Sequence, residues 1–317
     1  MTSTTAMTTL WWVRGCPRHL AQAHERAGLT AIGPDLVDRS GAIAVLAGAE
    51  EYSADVMDAL PNMKVLARIG IGYDAVDVDA ATERGIMVTN TPEGPTTSTA
   101  EHTIALMMAV THELKSSALR LRAATGDYVS HQNSMELQGR TLGLLGYGRI
   151  GRAVAIMAEA IGMNVIITDP MFEDSVSIDE LLARSDVFSI HAPATPSTIG
   201  LIDRDALGNM KQGSVLINCA RGPIVVTDDL VDALRSGHLM GAGLDVTEPE
   251  PLDPDHPLLH MDNVIVTPHI ASNTTAGRAR MERMAFEQVQ FALAGERPTH
   301  LLNEHTTDFL NPPEVKD

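Results

Sequence analysis

Short apolar runs recur along the chain, with polar stretches of helical length between them. In the first part they fall at residues 10–13, 42–46, 65–67 and 86–88, and runs this short, bounded by polar segments, predict the strands of an α/β unit. From Thr96 the period changes. A start rich in Thr and Ser is followed by Thr103, Leu106, Val110, Leu114, Ala118 and Leu121 at helical spacing, which predicts one long helix reaching about Ala124 and leading into a second domain. Further apolar runs at 142–145, 165–168, 187–190, 214–217, 243–246 and 264–267 alternate with helical stretches. That alternation predicts a parallel sheet wound on both faces. After about residue 280, Met281, Met284, Ala285, Val289 and Leu293 form one helical stripe beyond the last strand, and this segment is expected to return to the first domain. The expected division is 96–284 for one domain and 1–95 plus 285–317 for the other.

Composition agrees with two cores. A chain of 317 residues is long for one, and 44% hydrophobic residues suffice to fill a pair. Forty-one acidic against 23 basic side chains give a formal charge of −18, which disfavours nucleic acid and anionic membrane surfaces as partners. An anionic ligand must then be drawn in by a local positive feature. Cys16 and Cys219 are too few and too distant for a disulfide framework, and no paired Cys/His spacing marks a metal site. Residues 1–9 lack the basic start and apolar stretch of a signal peptide, and no apolar run approaches membrane length. A cytoplasmic protein with frayed ends is expected.

One motif supplies the local positive feature. Gly146-Tyr147-Gly148-Arg149-Ile150-Gly151 follows directly on an expected strand and opens an expected helix. Gly146 permits the tight turn, Gly148 lets a pyrophosphate approach the backbone, and Gly151 lets helix and strand pack closely. The helix N-terminus adds free N–H groups and a partial positive charge. Asp169 ends the next strand, 23 residues after Gly146, where a carboxylate can bind ribose hydroxyls and would repel a 2′-phosphate. NAD is therefore expected over NADP. The plainer alternative is an ordinary turn and a capping aspartate before Pro170.

Arg221, Glu250 and His269 stand at or just past strand ends, the edge where a doubly wound sheet binds ligands. Reduction of a ketone by a nicotinamide needs an acid that gives a proton to the carbonyl oxygen, and the reverse needs the same group as base. His269 suits that task, and Glu250 would orient its imidazole and favour its protonated form. Arg221 offers a planar fork of donors for a substrate carboxylate. His102, His112, His191, His256 and His260 read as structural or surface residues, and the methionines as core filler.

Several blocks together resemble the D-isomer-specific 2-hydroxyacid dehydrogenases. They are Gly70-Ile71-Gly72-Tyr73-Asp74, Ser98-Thr99-Ala100-Glu101, the glycine turn, Asn218-Cys219-Ala220-Arg221-Gly222, Gly243-Leu244-Asp245-Val246 with Glu248-Pro249-Glu250-Pro251, and Thr267-Pro268-His269. The similarity spans residues from about 62 to 297. It implies two Rossmann-like domains, an NAD-binding one inserted into a smaller flavodoxin-like substrate domain. It also implies a homodimer with residues 96–124 as candidate interface. By resemblance Arg221, Glu250 and His269 are catalytic, and Ile71 and Gly72 give backbone N–H groups to the substrate carboxylate. Arg149, Ile150, Ala192 and Ala220 would line the cofactor, and Asp245 would contact the nicotinamide amide, with a strand-end cap as the alternative.

The chain departs from the family pattern at Pro95, Pro223 and Thr247, where Asn, Gly and an aromatic are usual. Ala47-Gly48-Ala49 stands where members handling phosphorylated acids often carry arginine, although Arg68 is kept. A small unphosphorylated acid such as hydroxypyruvate or glyoxylate is therefore expected. The resemblance leaves open 3-phosphoglycerate or phosphite oxidation, and an NAD-sensing scaffold or corepressor without turnover. No regulatory C-terminal domain is expected beyond residue 317.

Overall fold

The first group of apolar runs forms strands that are parallel throughout. In a computed structural model, which describes residues 8–12, 17, 20, 23, 29–32, 40–124, 126, 128, 129 and 132–304, the chain divides into two units. One is Met1–Pro95 with Thr275–Asp317, the other Thr96–Thr274. Val13, Cys16, the first seven residues and those after 304 lie outside the described residues.

The first unit has five strands: β1 (Thr8–Trp12), β2 (Leu29–Ile32), β3 (Ala42–Ala47), β4 (Val65–Arg68) and β5 (Met87–Thr89). Their order is β2-β1-β3-β4-β5, the flavodoxin-like arrangement. Sequence pattern missed β2, whose run Leu-Thr-Ala-Ile is only four residues long and is interrupted by a threonine. Helices α1 (Ala54–Asp58) and α2 (Val78–Glu83) connect the strands. The chain later returns with a 19-residue helix, Thr275–Leu293, described below as α10, whose buried Ala285, Phe286, Val289 and Ala292 complete the core over Leu46, Val65 and Met87. The expected boundary at 284/285 is thus corrected to 274/275: the helix Thr275–Leu293 is continuous, and its buried side chains pack into the core of the first unit. Asn303 finishes the unit, taking the Val88 N–H at 2.9 Å and giving Nδ2–H to the Ile86 carbonyl at 2.8 Å.

The second unit begins with α3 (Thr96–Thr111) and α4 (Leu114–Arg122), where one helix was expected. The break lies at Glu113, in the left-handed region at φ 53°. Groups distant in sequence impose it: Met135 N–H donates to the Thr111 carbonyl at 2.8 Å, and Glu113 Oε2 accepts the Asn133 N–H at 2.7 Å. A six-stranded parallel sheet follows: β6 (Thr141–Leu145), β7 (Asn164–Thr168), β8 (Val187–Ile190), β9 (Ser214–Asn218), β10 (Leu239–Leu244) and β11 (Val264–Val266). Its order is β11-β10-β9-β8-β6-β7. Helices α5 (Arg149–Ala160), α6 (Ile178–Arg184), α7 (Arg204–Asn209), α8 (Thr227–Arg235) and α9 (Pro257–His260) link the strands, and α10 comes after the last. β10 was expected at 243–246 and instead ends at Leu244. Its glycines hid its start, and they are required there: a Cβ on Gly241 would stand 2.5 Å from the Asn263 carbonyl oxygen, and one on Gly243 3.0 Å from Leu106 of α3. Among the described residues no helix is long and apolar enough to cross a membrane.

Candidate active site

Parallel strands put their C-terminal ends on one edge, so Gly146, Asp169, Ala192, Ala220, Asp245 and the Thr267–His269 segment of the second unit share a single rim. The strand order reverses at β6, with β7 on one side and β8 on the other, and the glycine turn leaves that strand. Such a reversal opens a crevice where ligands bind.

The three glycines are not interchangeable. Gly146, at φ 95°, lies so close to the next crossover that a Cβ would sit 2.7 Å from Ala192 N. A Cβ on Gly151 would sit 2.4 Å from the Gly146 carbonyl oxygen, so helix α5 packs on the turn only without one. Around Gly148, which caps α5, a Cβ would meet nothing within 4 Å. Two positions are thus fixed by the fold, and the third faces open space at a helix N-terminus, which fits a diphosphate. Arg149 is exposed and Ile150 half-buried at that same helix start, and Ala192 closes the floor beneath Gly146. Asp169 accepts the Tyr147 N–H at 2.7 Å through Oδ2 and the Met171 N–H at 2.9 Å through Oδ1. Its carboxylate is held at the turn, with further lone pairs for ribose hydroxyls. Phe172 meets Tyr147 edge to face at 5.1 Å.

Arg221 leads into a short 3-10 helix, Gly222–Ile224, in which Pro223 costs no hydrogen bond because a first-turn N–H has no helical partner. Asn218, only 1% exposed, wraps this loop: its Oδ1 accepts the Ala220 N–H at 3.0 Å and its Nδ2 donates to the Arg221 carbonyl at 2.9 Å. Glu250 Oε1 lies 2.7 Å from His269 Nδ1. Burial raises the Glu250 pKa, but the hydrogen bond and charge of His269, a backbone hydrogen bond from Thr247 and the charge of Arg221 together outweigh it and hold the carboxyl below its ordinary value. Arg221, Glu250 and His269 therefore interact as one group. A depressed carboxylate pKa contributes stability that is present above 4.5 and lost only as pH falls through the lower, folded value.

In the first unit, Asn90 Nδ2 donates to the Ile71 carbonyl at 2.8 Å, and Gly70 N–H donates to Thr91 Oγ1 at 2.8 Å. This fixes the loop through Ile71 and Gly72.

The family model for the D-isomer specific 2-hydroxyacid dehydrogenase, NAD binding domain, matches residues 104–271. The chain belongs to this family. It is 42% identical over 257 residues to the D-3-phosphoglycerate dehydrogenase of Mycobacterium leprae, covering 78% of this chain and 48% of that one. It is 41% identical over 271 residues to the glyoxylate reductase of Thermofilum pendens, covering 80% and 79%. Among solved structures, the TT0316 protein of Thermus thermophilus superposes with a TM-score of 0.86 at 38% identity, over 93% of this chain and all of that one. The chain spans about half the length of the D-3-phosphoglycerate dehydrogenases it matches.

Within this dehydrogenase framework Asp245 is 1% exposed, and its carboxylate is committed to the loop that carries the histidine. Oδ1 accepts the Thr267 hydroxyl at 2.6 Å and the Ile270 N–H at 2.9 Å, and Oδ2 accepts the Ala271 N–H at 2.8 Å. Its carbonyl accepts the His269 N–H at 2.8 Å. Sequence reasoning did not single out Asn218 or Thr267, although both stand inside the motif blocks, beside the residues it named. It also set aside His102, whose Nε2 lies 3.1 Å from Thr267 Oγ1. The His191 imidazole, 2.9 Å from Ser189 Oγ, is kept neutral by burial, which pushes its pKa down to about 4.

Proposed function

We propose that the protein is an NAD-dependent oxidoreductase acting at C2 of a small, unphosphorylated D-2-hydroxy or 2-keto acid of the hydroxypyruvate or glyoxylate type. The observation that carries this is the 2.7 Å pair of His269 Nδ1 and Glu250 Oε1 beside Arg221, on the rim that also bears the glycine turn. NAD held on Gly146–Gly151 and Asp169 would supply or accept a hydride at the nicotinamide ring. Because Nδ1 of His269 is engaged by Glu250, Nε2 is the atom that gives a proton to the carbonyl oxygen in reduction and takes it back in oxidation. Arg221 binds the acid's carboxylate as a fork of donors; the family resemblance assigns the Ile71 and Gly72 backbone N–H groups to a substrate carboxylate as well. Arg149, Ile150, Ala192 and Ala220 line the cofactor, whereas Asp245, buried and bonded to the Thr267 hydroxyl and the Ile270 and Ala271 amides, takes its alternative role as the strand-end cap that holds the histidine loop.

The preference for an unphosphorylated acid is supported at the end of β3. There a Cβ on Gly48 would stand 2.4 Å from Glu50 Oε2, so the loop carries a carboxylate where a phosphate would need a cation. The homology to glyoxylate reductases over most of their length points the same way. A homodimer through residues 96–124 and a cytoplasmic location belong to this reading. Exposed Leu114 and Leu121 on α4 support the first, and the scarcity of cysteine supports the second.

The test follows NADH oxidation with hydroxypyruvate, glyoxylate, pyruvate and 3-phosphohydroxypyruvate, with NADPH in parallel. Turnover of an unphosphorylated acid with NADH is expected. Preference for the phosphorylated acid would overturn the substrate class, and NADH binding without turnover of any acid would favour a sensor. In the same assay Asp169→Ser should move the NADH to NADPH preference towards NADPH by about 10-fold or more, since it removes the carboxylate that repels a 2′-phosphate; an unchanged ratio would refute the ribose role.

A further inference from the structure

His102, Leu106 and Val110 lie at successive fourth positions on α3, and the last two pack on the glycines of β10. This face of the helix is therefore set firmly against the strand that ends in Asp245. His102 is its polar member. Nε2 lies 3.1 Å from Thr267 Oγ1 and 3.5 Å from Asp245 Oδ1.

The direction of the bonds follows from their chemistry. An ionised carboxylate only accepts, so the Thr267 hydroxyl, 2.6 Å from Asp245 Oδ1, gives its proton there. Its lone pair then faces His102, and Nε2 is the donor. The other ionisable neighbour placed here among the described residues is Cys219, hydrogen-bonded to Thr103 of α3, whose thiol burial pushes up to about 12 and so keeps uncharged. Asp245 thus has side-chain partners in Thr267 and, at 3.5 Å, His102, and backbone partners in Ile270 and Ala271.

The loop so held is under strain. His269 has φ 52°, a left-handed conformation that is unfavourable for a non-glycine residue and persists only where neighbours impose it. Two of those restraints run through Asp245: its carbonyl holds the His269 N–H, and its carboxylate holds the next two amides.

We propose that His102 is a positioning residue for the acid/base: through the Thr267 hydroxyl it orients the buried Asp245 carboxylate, which sets the strained loop that presents His269 to Glu250. This rests on the proposed function only in taking His269 as the acid/base. His102 itself touches neither substrate nor cofactor in this scheme. Leucine at 102 removes the donor and keeps the bulk; glutamine restores an N–H at a similar reach.

The experiment is a histidine-ring NMR titration of the full chain labelled with 15N-histidine, the His269 signal being assigned by its loss in His269→Gln. In His102→Leu the titration midpoint of His269 should move by about half a pH unit or more, as its bond to Glu250 loosens, and in His102→Gln it should return close to the starting value. A folded His102→Leu protein with an unmoved His269 midpoint would overturn the proposal, as would a shift that His102→Gln does not reverse. If His102→Leu does not fold, Thr267→Val against Thr267→Ser reads the same relay, and an unmoved midpoint in Thr267→Val would overturn it equally. Turnover of hydroxypyruvate by His269→Ala is measured alongside. Activity surviving in that variant takes down the proposed reaction and leaves the ring titration standing as a result on its own.

Discussion

His269→Ala lowers turnover of the responsive 2-keto acid by on the order of 100-fold or more while NADH binding stays nearly intact. The asymmetry follows from where the groups sit. The proposed cofactor cradle comprises Gly146, Gly148, Gly151 and Asp169; the contacts of Gly146, Gly151 and Asp169 run to Tyr147, Met171, Ala192 and one another, and none passes through the His269 imidazole. His269 is 45% exposed in its side chain and bonded to Glu250, so its loss leaves no cavity and costs little stability. Steady-state rates with NADH, together with fluorescence titration of NADH, measure both quantities. Full activity in the variant would sink the assignment. Reduction by the unaltered protein should also slow as pH rises and oxidation should quicken, because the two directions need opposite protonation states of the same ring.

A second large effect is expected one residue beyond the arginine. A Cβ on Gly222 would stand 2.0 Å from the Thr247 carbonyl oxygen and 2.9 Å from Glu248 N. These are backbone atoms of the segment leading to Glu250, and they cannot rotate aside. Gly222→Ala must therefore separate the Arg221 loop from the Thr247–Glu250 segment, pulling apart two members of the interacting trio. Overpacking of this kind costs about 1–3 kcal/mol, and a displacement near 1 Å at a reacting site costs on the order of 100-fold in rate. Thermal unfolding should show a melting point lower by several degrees, and kcat/KM should fall by about that factor. A variant with unchanged kcat/KM would mean that the loop and the acidic segment are not mechanically joined.

What the chain discloses by itself depends on how local the cause is. β8 and β9 carry short, mostly apolar runs, and the glycine turn shows its spacing within six positions, so both could be read directly. Arg221, Glu250 and His269 were legible because each stands in a short block of characteristic neighbours. The break between α3 and α4 was not, because its causes, Asn133 and Met135, lie some 20 residues downstream. β10 was hidden by glycines that only a tertiary contact explains. The loop-holding role of Asp245 depends on amides 25 and 26 residues away, and that of His102 on a hydroxyl still farther off. Thr247 and Pro223, where the chain departs from its family's usual residues, sit at the Gly222 contact and inside the short 3-10 helix, where their fit became visible only with the backbone in view.

The return of the chain to its first unit orders events during synthesis. Leu46, Val65 and Met87 of that unit's sheet obtain their cover from α10, and Val88 obtains its partner from Asn303, both encoded after the whole of the second unit. On a ribosome adding roughly 5–20 residues per second, the early strands emerge first yet wait about ten seconds or more for the segment that seals them. The inserted unit has every one of its strands in hand before then. It is expected to mature while the earlier sheet is still unfinished, so the host domain, though begun first, is completed last, and nascent-chain chaperones would find their apolar target in its waiting strands.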